Sequence, residues 1–482
     1  MKIVFANAPD ELNPSPLVCV SYPINISYLA RIAEDSGHHV EMWDFAVEPL
    51  TEEYIIEKIK HSKPDVVGIT SMTASIYFAD AIARAVKKAN PSIITILGGV
   101  HVTILPTETL DEFPSFDFAV ITEAEELLPA LLESLENKII PENIPGTAYR
   151  RDGLVKINPA SSFPADLDKI PYPHRELVPP DYYTKWHAVR GISRRSWNVA
   201  EITSSRGCPF SCTFCNVDAL HGQKMRYRTP ENVIGEIEEC VKKFDANFVM
   251  FNESTFAIDK NRAKDIVKGL PKNIKGYYVC SHVNIADYDL YKTMADTGCT
   301  ILSFGVESGS DRVLKKIQKN ATGERIIRAF SLAKQAGIPN VEGTYILGAS
   351  LDETEEDFAA TERIIKKTNP DFVGLGIIVP FPGTPQYLEM KKLGYLDGVG
   401  WDQYQIFSET PPPWRIKNFS NEELVEYRNK ILKAYYWNPR YFARKLMRIR
   451  DLGELKYYAS MAGAFYRIII RQNGGYFDQA KN

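Results

Sequence analysis

Along the first 140 positions, short apolar runs alternate with longer stretches in which apolar residues recur every three or four positions. The runs are KIVFANA (2–8), HVEMWDF (39–45), DVVGITS (65–71), IITILGG (93–99) and FDFAVIT (116–122). They read as buried strands, and stretches such as NISYLARIAEDSGH (25–38) and YFADAIARAVKKANP (77–91) read as amphipathic helices. Gly37 and Pro91 supply helix stops. Five strands with helices between them predict a doubly wound parallel sheet over 1–140. Such sheets bind ligands at the carboxyl ends of their strands. Here those ends carry Ser71, Met72 and Thr73, then Gly98, Gly99 and His101, then Thr122 and Glu123.

Residues 141–195 are rich in proline and lack helical period, so they read as a linker with a small hairpin. From 196 the alternation resumes, with strands predicted at 199–204, 247–252, 276–282, 300–306, 341–347 and 372–379. After the first, Thr229 caps a helix, Pro230 takes its first position, and Val233, Ile234, Ile237, Val241 and Phe244 form one apolar stripe. Asp352 with Glu355 reads as a capping box before a later helix. Six β/α units over 196–400 predict a partial (β/α)6 TIM-type barrel, whose chemistry belongs at the carboxyl ends of its strands. The remainder, 401–482, reads as mainly helical. Its aromatics Tyr435, Tyr436, Trp437 and Tyr441 suit either a hydrophobic lid or helix packing.

Composition narrows the classes. The 482 residues are 44% hydrophobic and 24% charged, with a net charge of −4 and no large block of one sign. That argues against nucleic-acid binding by bulk electrostatics. No apolar run is long enough to span a bilayer, and MKIVFANAPD is a strand-like start rather than a signal peptide. Seven cysteines are few and odd in number, which argues against a disulfide scaffold and for a reducing cytoplasm. Three of the seven stand together in CPFSCTFC (208–215), directly after the first predicted barrel strand.

Two metal chemistries fit that triplet. A structural zinc site needs a fourth ligand, and His221 is six residues beyond Cys215. Cys240 falls on the apolar side of the helix just described. A 4Fe–4S cluster held by Cys208, Cys212 and Cys215 leaves one iron open to a small molecule. The spacing Cys208-x3-Cys212-x2-Cys215, with Phe214 before the last cysteine, resembles the signature of the radical S-adenosylmethionine (SAM) enzymes. TSSRGCPFSCTFCN (203–216) looks like the form found when such barrels follow a cobalamin-binding domain. FVMFNESTFAIDKNR (248–262), ILSFGVESGSDRVLKKIQK (301–319), YILGASLDETEEDF (345–358) and IIVPFPGTPQY (377–387) follow in family order.

The resemblance implies a Rossmann-like cobalamin-binding domain, then a radical SAM barrel in which a reduced cluster cleaves SAM to a 5′-deoxyadenosyl radical. It implies that Phe214 lies near the adenine and that Asn252, Glu253, Ser281 and Glu307 hold SAM. The Asn252-Glu253 pair departs from the two aspartates frequent in the family. It also implies an electron donor such as flavodoxin or ferredoxin. In the commonest family chemistry, cobalt takes a methyl from one SAM, and a second SAM makes the radical that activates a substrate carbon.

The first domain lacks both the glycine fingerprint of dinucleotide sites and the acidic pair of phosphorelay receivers. GGVHVTILPTETL (98–110) instead resembles cobalamin domains. The histidine motif that ligates cobalt elsewhere is missing, so His101 is expected as a loop residue near the corrin, not on the metal. The acidic turn TEAEE (122–126) departs from the family's Gly-Glu pattern. Methylation of an unactivated carbon of a small-molecule or lipid-like substrate is the leading expectation. A radical cyclase, dehydratase or rearrangement enzyme, and a non-catalytic cobalamin or iron–sulfur sensor, are the alternatives.

Overall fold

The computed structural model describes residues 1–9, 22–160, 163–177, 197–406, 411–439, 441 and 443. Cys19, the end of the predicted linker (178–196) and most of the predicted C-terminal region lie outside the described residues.

The first sheet contains β1 (Lys2–Asn7), β2 (His39–Asp44), β3 (Val66–Thr70), β4 (Ile94–Gly98), β5 (Phe118–Val120), β6 (Thr147–Arg151) and β7 (Leu154–Asn158). Their order is β2-β1-β3-β4-β5-β6-β7, parallel through β5 and antiparallel for the last two. Alternate residues of β1 enter cores on opposite faces: Ile3 and Phe5 on one, Val4 and Ala6 on the other. Helices cover both faces, which makes the sheet doubly wound. The hairpin expected in the linker is β6–β7, and it extends this sheet past residue 140.

The second sheet contains β8 (Val199–Ile202), β11 (Phe248–Phe251), β12 (Gly276–His282), β13 (Cys299–Glu307), β14 (Asn340–Leu347) and β15 (Phe372–Ile377). All are parallel and in chain order, with β8 and β15 at the edges, so the sheet is an open six-stranded barrel. A two-residue pairing, β9 (Ser205–Arg206) with β10 (Arg226–Tyr227), brackets the cysteine segment. Outward residues such as Ala200, Val249, Val279 and Leu302 join the helices in the largest core. Val199, Phe248, Tyr278 and Ile301 point inward and plug the end of the barrel where the strands begin.

Local signals were mostly placed as predicted. Thr229 accepts from the Asn232 N–H and Pro230 opens the helix Pro230–Phe244. The capping box is two residues late: Thr354 is the cap, paired with Asp357. Asp352 is instead held by Arg312 and Lys316. The tail aromatics pack rather than cover. Tyr436 accepts from the Val373 N–H (2.8 Å) and donates to its carbonyl (3.0 Å), and Tyr435 bonds the Pro370 carbonyl. Tyr441 donates to the Asp371 carbonyl. These hydroxyls satisfy backbone groups on and beside the edge strand β15. Trp437 stays half exposed.

Candidate active site at the apposed strand ends

The cysteine segment is tied down from several directions. Gly207 has φ +94°, and a Cβ there would stand 2.4 Å from the Lys224 carbonyl oxygen, so only glycine makes the turn. The Cys208 N–H donates to the Gly222 carbonyl (3.2 Å) and the Cys215 N–H to that of Cys212 (3.1 Å). Thr213, between the second and third cysteines, donates to the Ile317 carbonyl (3.1 Å) and accepts from the Gln386 N–H (3.3 Å). The Gln386 side chain donates in turn to the Gly348 carbonyl.

Cys212 and Cys215 sense the charge of the neighbouring thiols. Burial pushes Cys212 up to about 11 and also raises Cys215, while the Lys319 ammonium pulls both back. Among the described residues no three His, Cys, Asp or Glu side chains converge tightly enough for a single ion. His221, the fourth ligand that a zinc site would use, bonds Glu123 through Nδ1 at 2.8 Å. Three neighbouring thiols suit a cluster, whose separate irons take one thiolate each.

At the barrel mouth, Glu307 ends β13 with φ +67° and forms an ion pair with Lys319 at 2.8 Å. Both side chains are about nine-tenths buried. A Cβ on Gly305 would stand 2.7 Å from Glu307 Oε1 and 3.0 Å from Lys319 Nζ, so the pair lies over that glycine.

Pleat direction decides the neighbouring positions. Asn252 is exposed and follows Phe248 and Met250 in the inward series. Ser281 shares the outward phase of Tyr277 and Val279 and lies beside Tyr291 in the helix layer, so it does not reach the mouth. The next residue, His282, continues the inward phase of Tyr278 and Cys280. It stacks on Phe210 of the cysteine segment at 3.9 Å. Glu253 accepts from the Ser204 N–H (3.1 Å) and the Ser205 hydroxyl, so its carboxylate braces the turn that leads to the cysteines.

In the first domain, strand order reverses between β1 and β3, which opens a crevice at their carboxyl ends. Ser71 and Thr73 are buried there, the Ser71 hydroxyl has no hydrogen-bond partner, and Met72 is exposed. A Cβ on Gly98 would meet nothing within 4 Å, whereas one on Gly99 would stand 2.3 Å from the Ser71 carbonyl oxygen. An orphan hydroxyl beside a bare glycine surface fits a broad ligand laid against backbone, as cobalamin would be.

The B12 binding domain family matches residues 18–132, and the radical SAM superfamily matches residues 202–365. An uncharacterized methyltransferase of Pyrococcus horikoshii is 30% identical over 444 residues, covering 91% of this chain and 93% of that protein. The chain belongs to the cobalamin-binding radical SAM enzymes. The anaerobic magnesium-protoporphyrin IX monomethyl ester cyclase of Rubrivivax gelatinosus is 29% identical, covering 76% of this chain and 66% of its own. The structure of the cobalamin-dependent SAM radical enzyme OxsB with aqua-cobalamin bound shares the fold, with a TM-score of 0.71. Its identity is 19%, over 97% of this chain and 72% of OxsB.

The cofactors of this radical SAM family are cobalamin, SAM and a 4Fe–4S cluster. Three residues expected at the corrin have other partners here. Glu123 directs its carboxylate away from the crevice to Arg206, Arg226 and His221. Thr122 precedes it with φ +72°, its N–H donating to the Thr103 hydroxyl. His101 lies in a short helix, Val100–Ile104, rather than a loop. It is buried against Trp401 with ring centroids 4.8 Å apart, and burial lowers it to about 4. Sequence reasoning missed Lys319, His282, Arg206 and Arg226. Nothing local marked them.

Proposed function

We propose that this enzyme methylates an unactivated carbon of a small molecule held between its two domains. The balanced reaction takes the substrate C–H, two SAM and two electrons to the C–CH3 product, S-adenosylhomocysteine, methionine and 5′-deoxyadenosine. The bound cofactors supply a methyl carrier and a carbon-centred radical. Cys208, Cys212 and Cys215 hold the cluster, and Phe214 lies against the adenine. Asn252 and Glu307 accept hydrogen bonds from SAM, and Lys319 orients the Glu307 carboxylate. Ser71, Met72, Thr73, Gly98 and Gly99 carry the corrin, along with the backbone of Thr122. An external flavodoxin- or ferredoxin-type donor supplies the electrons. A reducing cytoplasm is the site of action in this reading, since it keeps the three cluster cysteines from oxidising to disulfides. Among the described residues no helix is long and apolar enough to cross a membrane.

One observation carries the reading. Glu123, from the carboxyl-end face of the first sheet, is bonded to the two arginines that bracket the cysteine segment on the carboxyl-end face of the second. The archaeal methyltransferase relative spans both domains, which favours transfer. The test is anaerobic reconstitution with iron, sulfide, hydroxocobalamin, titanium citrate and SAM, followed by product analysis. S-adenosylhomocysteine together with 5′-deoxyadenosine is expected. 5′-Deoxyadenosine alone would favour radical chemistry without transfer, the class of the cyclase relative. Neither product would favour a non-catalytic module.

A further inference from the structure

We infer that Glu123 is a positioning residue: by gripping Arg206 and Arg226 at the base of the cysteine segment, it fixes the cobalamin domain in register with the cluster. This rests on the proposed function and goes beyond it by naming what sets the distance between the two cofactors.

The geometry is specific. Glu123 Oε1 accepts from Arg226 Nη2 (2.6 Å) and pairs with His221 Nδ1 (2.8 Å). Its Oε2 accepts from Arg206 Nη1 and Arg226 Nη1, both at 2.8 Å. Its side chain is only 4% exposed. Burial alone would raise this carboxyl, yet Arg226, His221 and Arg206 hold it well below the usual carboxylate range. Arg206 has a second partner in the same turn, Glu125 at 2.6 Å.

Arg206 and Arg226 face each other across the β9–β10 pairing, and Arg206 is two residues before Cys208. His221 ends the short helix Val217–His221 that follows Cys215. One carboxylate therefore holds both ends of the cluster segment. Arg226 also donates to the Pro164 carbonyl (2.8 Å), adding the interdomain strap to the joint. A second contact restricts rotation about it. Trp401, from beyond the barrel, packs on His101 and donates from its indole to Glu112 (3.0 Å) and from its backbone to the Tyr77 hydroxyl (3.4 Å).

Cleavage of SAM at the cluster needs only the barrel. Methyl transfer needs the cobalamin domain within a few ångströms, and a misplacement of about 1 Å costs on the order of a hundredfold in rate. Loosening Glu123 should therefore separate the two products.

The test uses the full-length enzyme, reconstituted as above, without substrate. The methyl leaves SAM as CH3+, giving S-adenosylhomocysteine, and is accepted by cobalamin that titanium citrate has reduced. Glu123→Gln and Arg226→Lys should each lower the ratio of S-adenosylhomocysteine to 5′-deoxyadenosine by about tenfold or more. The 5′-deoxyadenosine yield per cluster iron and the cobalamin content should stay at the parent's level. Independently of turnover, hydrogen exchange of peptides spanning 118–126 and 203–227 should speed up in both variants, with or without cobalamin. The double variant should be no worse than the worse single. If Glu123→Gln does not fold, Arg226→Lys and the half-exposed His221→Asn decide in the same way. An unchanged ratio overturns the inference. So does a proportional loss of both products with iron intact, because that places the effect at SAM. A parent that makes no S-adenosylhomocysteine refutes the proposed function instead, and hydrogen exchange on the cobalamin-free protein still decides whether Glu123 fixes the register.

Discussion

Removing the charge of Glu307 should damage stability and SAM binding by separable routes. Its Oε1 is 2.8 Å from Lys319 Nζ, and the side chains are 10% and 8% exposed. Two unit charges at that distance attract by roughly 6 kcal/mol at an effective dielectric of 20, before desolvation is subtracted. Breaking such a buried pair from one side costs about 3–5 kcal/mol, because the other charge is left without compensation. Burial opposes the charge on Lys319, and the Glu307 carboxylate outweighs it, so the lysine is raised and stays protonated. Glu307→Ala should therefore destabilise the cluster-free barrel by about 3–5 kcal/mol, with a melting shift of roughly 2–4 °C per kcal/mol for a domain of this size. It should also weaken SAM binding about tenfold or more, the worth of a charge-assisted hydrogen bond. Calorimetry of the apoprotein and equilibrium dialysis of SAM onto the reconstituted enzyme measure the two effects. The double variant Glu307→Leu/Lys319→Met separates them: stability should return to within about 1 kcal/mol of the parent, since neither charge is stranded, while SAM binding stays weak. If the double variant binds SAM like the parent, Glu307 has no role at the ligand and the pair is purely structural.

Three further outcomes follow from the site. Cys208→Ala, Cys212→Ala and Cys215→Ala should each abolish iron and sulfide retention after anaerobic reconstitution, whereas the buried Cys240→Ser and Cys299→Ser should retain iron despite some loss of stability; equal iron loss in Cys240→Ser would refute the assignment. Glu253→Ala should lower iron retention through the loosened Ser204–Ser205 turn and leave SAM affinity per cluster unchanged; a drop in affinity at constant iron would restore a direct contact. His101 is held near 4 when folded against 6.5 ordinarily, so the unfolded chain takes up its proton first as pH falls, and stability complete above pH 6.5 should decline toward pH 4 by up to about 3 kcal/mol. His101→Phe should flatten that slope in unfolding scans, and His101→Ala should leave the cobalamin absorption spectrum unchanged; a clear spectral shift would make it a cobalt ligand.

Strand positions were legible because buried parallel strands are short apolar runs, and each predicted barrel strand overlaps an observed one. The same property hid the pleat. In GYYVCSH the residues on both faces are largely buried, so no polar–apolar contrast says whether Ser281 or His282 faces the mouth. Only the packing resolves it, with Tyr277 and Val279 in the helix-side core and Tyr278 in the barrel plug. The cysteine spacing was legible because its residues are adjacent in sequence. Lys319 was not, since it reaches Glu307 from beyond the following helix, and Trp401 meets His101 from the far side of the whole barrel. Glu123 was read as a ligand contact from its strand-end position, a criterion that does not distinguish binding a cofactor from binding the neighbouring domain.

That ambiguity has a physical basis in how the domains are joined. The strap at 163–177 is anchored by Arg175, which bonds Glu236 at 2.5 Å and the Glu201 carbonyl at 2.7 Å. Glu236 is fully buried and also bonds Arg228. This triad and the Glu123 cluster are both nearly dry and both directional. Burying charge gives little net stability against an apolar contact of equal volume, but it strongly penalises any arrangement that separates the partners. An apolar interface tolerates sliding; a carboxylate held by two guanidinium groups and an imidazole does not. A reaction that passes a methyl across a gap of a few ångströms requires that intolerance, so the charged residues of this joint belong to the active site's geometry even though none needs to touch a cofactor.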